Sequence, residues 1–109
     1  MDDKVAIDAL SALAQDTRLT VFRMLVKAGP DGMNATAIAE AVGVPTNTLS
    51  THLGILSRAG LVQSRRESRL IIYTADFGGT RRLLTYLVQD CCGGHPEICN
   101  PLSELMTCC

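Results

Sequence analysis

Between Ile38 and Thr74 the chain reads IAEAVGVPTNTLSTHLGILSRAGLVQSRRESRLIIYT, and no other segment limits the fold as tightly. A short apolar helix ends at the glycine of Gly43. A second helix opens near Pro45-Thr46, where proline is tolerated in a first turn, and stops at Gly60. At 100° per residue Leu49, Leu53 and Leu56 fall on one stripe of that second helix. Asn47, Thr51, Gly54 and Arg58 lie opposite, with Ser50 on the flank. The runs Leu61–Arg66 and Arg69–Thr74 then read as paired strands turning at Glu67-Ser68. Two helices joined by a tight glycine turn form a helix-turn-helix, whose second helix enters the DNA major groove. The hairpin, with Arg65, Arg66 and Arg69, has the make-up of a wing that grips phosphate.

A polar helix face or a charged hairpin, taken alone, is ordinary solvated surface. Their order along one short segment is what points to double-stranded operator DNA as partner. The expected contacts are Asn47, Thr48, Ser50, Thr51, Arg58, Arg65, Arg66 and Arg69. Asn47, Ser50 and Thr51 suit base edges, asparagine pairing well with adenine. Thr46 and Thr48 either cap the helix or touch phosphate. His52, about 60° round the axis from Leu49, is expected to pack rather than to read bases.

Charge distribution supports this placement although the chain as a whole carries a net −1. Residues 1–45 hold four basic and six acidic side chains, residues 46–82 six basic and two acidic, and residues 83–109 three acidic and none basic. The positive excess is therefore local to the reading helix, the hairpin and the stretch that ends at Arg82. A local patch is what DNA senses, since salt screens charges beyond ~8 Å.

The remaining elements are helical. Residues 5–14 form a helix with Val5, Ala9, Leu10 and Leu13 on one side. Asp16 is expected to cap a helix over Thr17–Ala28, with Leu19, Phe22, Leu25 and Val26 facing the core and Gly29-Pro30 ending it. Residues 29–34 read as a turn cluster, and residues 35–42 as a helix with Ile38, Ala39 and Val42 inward. A last helix is expected over Arg81–Cys92, with an apolar stripe of Leu83, Leu84, Leu87 and Val88. The fold class that results is α+β, mainly α: a winged helix-turn-helix with a two-stranded wing. The expected organisation is one domain over residues 1–92 and a cysteine-containing tail over 93–109. Small size makes a dimer attractive. No apolar run nears the ~20 residues that span a membrane, and Met1-Asp2-Asp3 lacks the positive start of a signal peptide. A cytoplasmic protein with reduced thiols is expected.

Ala12-Leu13-Ala14-Gln15-Asp16-Thr17-Arg18-Leu19 resembles the ALADPTRL opening of the ArsR/SmtB family of metal-responsive repressors. Leu49-Ser50-Thr51-His52-Leu53, Leu56, and Ala59-Gly60-Leu61-Val62 are similar to its reading helix and wing entry. Ser64-Arg65-Arg66-Glu67 and Tyr73 are similar to its wing. The likeness covers about residues 5–92. It implies a homodimeric winged-helix repressor that leaves its operator when a toxic metal or metalloid binds. It also implies a dimer interface between the first and last helices, here Leu10, Leu13, Leu84, Leu87 and Val88. Two family sites are missing. Met33-Asn34-Ala35-Thr36 stands where many arsenic-responsive members carry a cysteine motif, and the last helix lacks the histidines of the zinc-responsive members. Cys91, Cys92 and Cys99 look like a third arrangement, with cysteines near the end of the last helix.

The chemistry of that trio fits the implication. Soft thiolates select soft ions. As(III) and Sb(III) favour three thiolates in a pyramid, and the Gly93-Gly94 hinge lets Cys99 fold back. Arsenous acid arrives neutral and loses its three hydroxyls as water on taking three thiol protons. As(III) or Sb(III) is thus the expected inducer, with no organic cofactor. A divalent soft metal (Cd, Zn, Pb) and a Cys91–Cys92 or Cys92–Cys99 disulfide switch remain open as alternatives. His95 would add a fourth ligand for zinc, but adjacent cysteines serve structural zinc poorly. Cys108 and Cys109 form a second vicinal pair, more simply read as a flexible end. Cys91 and Cys92 close a helix beside Asp90, whereas a reactive catalytic thiol needs an electropositive setting, so no enzyme is expected.

Overall fold

The computed structural model describes residues 1–88. In chain order the elements are α1 (Asp3–Leu13), α2 (Asp16–Ala28), a 3-10 turn (Gly29–Asp31), β1 (Met33–Asn34), α3 (Ala35–Val42), α4 (Thr46–Arg58), β2 (Val62–Glu67), β3 (Leu70–Ala75) and α5 (Phe77–Leu87). Val21, Phe22 and Leu25 of α2, Ile38 of α3, and Leu49, Leu53 and Leu56 of α4 share one core with Leu61, Val62, Ala75 and Leu83. The sheet sits at one edge of this core. Its order is β1-β3-β2, all antiparallel, with Met33 opposite Tyr73 and Val62 opposite Ala75.

The helix-turn-helix forms as its punctuation requires. Asn34 caps α3, its side chain accepting from the Ala37 N–H at 2.9 Å. Gly43 closes α3 in the left-handed region (φ 75°), where a side chain is disfavoured, and its N–H bonds back to the Ala39 carbonyl. Pro45 precedes the first turn of α4. Leu49, Leu53 and Leu56 are then all at most 2 % exposed, as their spacing predicts.

Several expectations for the other elements are corrected. Residues 29–34 are not turn alone, because Met33 and Asn34 add a third strand to the hairpin along the free edge of β3. Two residues carry no periodicity, so only the partner strand defines this one. Gln15 caps α2, its Oε1 accepting from the Arg18 N–H at 2.8 Å, while Asp16 is the first helical residue. On α2 the buried residues are Val21, Phe22 and Leu25, whereas Leu19 (45 % exposed) and Val26 (39 %) face out. Those two lie about 100° round the axis from the centre of the buried face, and α2 has more apolar residues than one face holds. On α1 the inward positions are Ala6, Ala9 and Ala12; Leu13 is half-buried, while Val5 and Leu10 are exposed.

The hairpin turns at Ser68-Arg69, one residue later than expected, with Glu67 opposite Leu70. Ser68 takes positive φ (55°) there. The last helix starts at Phe77, before Arg81, because Asp76 caps it by accepting from the Gly79 N–H at 3.0 Å. Val88 is the residue after it, its N–H bonded to the Leu84 carbonyl at 3.2 Å. The expected continuation to Cys92 and the domain limit at residue 92 lie outside the described residues.

Two glycines in this frame behave differently. A Cβ on Gly79 would collide with the Gly60 carbonyl, so the first turn of α5 lies directly on the link between α4 and β2. A Cβ on Gly43 would meet open space and suffer only its backbone conformation. Gly79→Ala is therefore expected to cost about 3 kcal/mol, from overpacking against backbone, and Gly43→Ala about 1 kcal/mol. Urea denaturation of the two variants checks the ranking.

Candidate nucleic-acid interface

With the leucine stripe of α4 in the core, the opposite face is left to solvent. Asn47, Thr48, Ser50, Thr51 and Arg58 are all exposed. The expected reading residues therefore sit together on one helix face, except that Arg58 stands apart. At 1.5 Å of rise per residue it is roughly 16 Å along the axis from Asn47. It lines an open cavity of about 400 Å³ with Asp8 and Ser11 of α1 and Arg18 of α2.

Local hydrogen bonds shape what the face offers. No side chain caps α4. Instead Asn47 Oδ1 accepts from the Thr48 N–H at 2.9 Å, which leaves the side-chain NH2 of Asn47 to donate to a partner. The Ser50 hydroxyl donates to the Thr46 carbonyl at 3.1 Å, so it meets a partner as an acceptor. Thr46 is likewise exposed and does not cap its own helix through its side chain.

His52 is half-buried on the side of α4 that packs, in line with its expected role. Its Nδ1 lies 3.3 Å from Nη1 of Arg18, and Arg18 Nε donates to the Ala12 carbonyl at 2.6 Å. With Nδ1 as the acceptor, the proton of a neutral imidazole sits on Nε2. Arg18 thus joins the end of α1, the start of α2 and the middle of α4. The stripe of Leu19, Phe22, Leu25 and Val26 expected to face the core left Arg18 elsewhere on the helix, and the structure corrects this. The position of Arg18 in register with Val21, Phe22 and Leu25 was the signal that it turns inward.

The wing projects beyond the core. Its two faces alternate, with Val62, Ser64 and Arg66 on one and Gln63, Arg65 and Glu67 on the other. Arg66, Ser68 and Arg69 are exposed at the tip, beside the exposed Leu70 and Ile71. Arg66 reaches only the Ser68 carbonyl, at 3.4 Å, and Arg69 makes no hydrogen bond or ion pair with any described residue. Arg65 differs: its guanidinium donates to the carbonyls of Pro30 (2.9 Å) and Asp31 (3.2 Å) and to Glu67 (2.9 Å). The Arg65–Glu67 pair is solvent-exposed and contributes at most about 1 kcal/mol.

The expected interface residues divide between α1 and the end of α5 with the following Val88. Leu10 and Leu87 are exposed, and Leu13, Leu84 and Val88 are half-buried. Ile7, 60 % exposed, lies about 60° round α1 from Leu10 and extends its apolar exposure, while Val5, 45 % exposed, lies about 140° from Leu10. Among the described residues no group of three His, Cys, Asp or Glu side chains could hold a metal ion. Cys91, Cys92, His95, Cys99, Cys108 and Cys109 lie outside those residues. No described helix is long and apolar enough to cross a membrane.

A helix-turn-helix with its polar face outward, flanked by a basic hairpin, defines a winged helix-turn-helix DNA-binding protein. Comparisons agree. Residues 13–65 match a family model described as a helix-turn-helix domain. Nodulation protein NolR of Rhizobium meliloti is 34 % identical over 83 residues, 76 % of this chain and 66 % of that protein. The chain thus spans just under two thirds of that relative's length. The crystal structure of NolR from Sinorhizobium fredii superposes with a TM-score of 0.64 at 33 % identity, covering 78 % of this chain and 82 % of that one. A homodimeric winged helix-turn-helix domain from Mycobacterium bovis, described as a possible ArsR-family regulator, gives 0.65 at 27 % identity, covering 87 % and 93 %. A structure described as a possible transcriptional regulator for arsenical resistance gives 0.65 at 26 %, covering 73 % and 80 %. The chain belongs to the ArsR family of winged-helix transcriptional regulators.

Because Arg18 ties three helices through a half-buried guanidinium, Arg18→Ala is expected to lower unfolding stability by about 1–3 kcal/mol. Arg18→Lys, which cannot reach the Ala12 carbonyl and His52 with one planar fork, is expected to recover less than half of that. Chemical denaturation of both variants checks it.

Proposed function

We propose that this chain is a homodimeric repressor that binds operator DNA and is released when As(III) or Sb(III) is taken up by Cys91, Cys92 and Cys99. The observation that carries the DNA half is the wholly exposed polar face of α4. Beside it stand the cation of Arg69, unpaired among the described residues, and the loosely held Arg66. Asn47, Ser50 and Thr51 read base edges, and Thr48, Arg66 and Arg69 approach phosphate. Apolar exposure along α1 and at Leu87 of α5 supports a second copy as the partner of that face. In such a dimer the two reading helices address successive major grooves, roughly 34 Å apart.

The inducer half rests on donor chemistry. The three thiols follow α5 in sequence, and three thiols with no carboxylate required suit a trivalent metalloid better than a hard or octahedral ion. Likeness to a structure described as a possible regulator for arsenical resistance supports the same choice. The bound group supplies a link between thiols that are otherwise separate along the chain. The protein's part is to carry that constraint into α5, which packs on α1, and so into the spacing of the reading heads. A coupling of about 1–3 kcal/mol lowers operator affinity 5- to 150-fold.

The test begins by selecting duplexes from a random-sequence pool with the wild-type chain. Asn47→Ala is expected to lose about 1–3 kcal/mol of discrimination at one base position of the selected duplex. Arsenite titrated into the complex, followed by fluorescence anisotropy, is expected to release the duplex, and a C91S/C92S/C99S variant is expected to hold it. Release that persists in the triple variant removes these thiols from the mechanism. Release by cadmium or peroxide but not by arsenite replaces the metalloid with a divalent ion or with thiol oxidation.

A further inference from the structure

The three wing arginines do not present equivalent guanidinium groups. Arg66 and Arg69 stand at the tip with their donors toward solvent, apart from one 3.4 Å approach of Arg66 to the Ser68 carbonyl. Arg65 turns the other way. Nη1 and Nη2 take the carbonyls of Pro30 and Asp31, at 2.9 and 3.2 Å, and Nε takes Glu67 at 2.9 Å. Two adjacent backbone carbonyls accepting from one planar fork is a geometry that arginine makes and lysine does not.

The partner of this fork is itself fixed. The 3-10 turn Gly29–Asp31 runs from the end of α2 into β1, which pairs with β3. Gly32, at φ 65°, lies so close to β3 that an added Cβ would sit 2.7 Å from both Ile72 Cγ2 and Thr74 Cγ2 and would collide with the Tyr73 carbonyl. Ile72 and Thr74 occupy the same sheet face as Arg65. The turn is therefore seated on the body of the sheet, and Arg65 joins the outer half of β2 to it. Beyond Arg65 the residues from Arg66 to Ile71 are exposed, so this is the outermost side-chain anchor seen on β2.

We infer that Arg65 is a positioning residue: it braces the wing against the Gly29–Asp31 turn and sets the angle at which Arg66 and Arg69 meet phosphate. This rests on the DNA-binding reading and divides the labour among three residues that look alike in sequence. Arg65 supplies direction, and the other two supply the phosphate contacts.

The experiment compares Arg65→Ala, Arg65→Lys and Arg69→Ala on the duplex selected by the wild-type chain, across a salt series. Arg65→Ala and Arg65→Lys are each expected to weaken binding about 5- to 10-fold. Neither is expected to change the slope of log affinity against log salt. Arg69→Ala is expected to flatten that slope by about 0.9, the loss of one phosphate contact. Restoration by lysine, or a slope change in Arg65→Ala equal to that of Arg69→Ala, makes Arg65 a phosphate contact and overturns the inference. So does wild-type affinity in Arg65→Ala. A second readout needs no DNA: amide exchange at Glu67–Leu70 is expected to quicken at least threefold in Arg65→Lys. Unchanged exchange refutes the brace even where affinity falls. Selection of no duplex by the wild-type chain, with exchange quickened, refutes the DNA reading and leaves the brace standing.

Discussion

Everything the surface of this chain can do depends on the burial of one stripe on α4. Leu49, Leu53 and Leu56 are packed among α2, α3 and the root of the hairpin, and they leave α4 one rotational setting. Each fully buried leucine contributes on the order of 1.5–3 kcal/mol, so a rotation that exposed all three would cost about 5–9 kcal/mol, comparable with the whole marginal stability of a small domain. The polar face has no packing partner and no choice of direction. Arg18 reinforces the same setting from the other end, through its link to His52 on α4 and to the Ala12 carbonyl.

Sequence and structure agree where periodicity or chain punctuation was strong. Gly43, Pro45 and Gly60 bound the helix-turn-helix correctly, and the leucine stripe fixed its inward face. Disagreement arose where a residue's role depended on a distant partner. Nothing in Met33-Asn34 announces a strand until β3 offers it an edge. Leu19 and Val26 on α2 are as apolar as Phe22, and only the position of the neighbouring helices leaves them outside. The start of α5 was obscured by Gly78-Gly79, poor helix formers whose place is set by the Asp76 cap and by contact with Gly60. At the reading surface the residue types were legible. The inward turn of Arg65 was not, because its acceptors are backbone carbonyls more than thirty positions away in the chain.

A division also runs between the halves of the molecule. Its reading half is held by large aliphatic side chains. Its first helix meets the body through small ones, since α1 presents Ala6, Ala9 and Ala12 inward and keeps Val5, Ile7 and Leu10 outside, whereas α5 is anchored by Leu83. An alanine face allows close approach but removes little apolar area from water. The larger exposed apolar groups of α1, and Leu87 of α5, thus add little to the packing of the single chain.

Gly79 lying bare against the carbonyl of Gly60 has a mechanical meaning. Where two elements touch through long side chains, rotamer changes soak up small displacements. Where main chain rests on main chain, no such cushion exists, and close-packed matter passes strain along. The first turn of the helix that leads to the sulfur-bearing segment presses on the very peptide from which the hairpin springs. A nudge delivered at one side of this joint has nowhere to dissipate before it reaches the other.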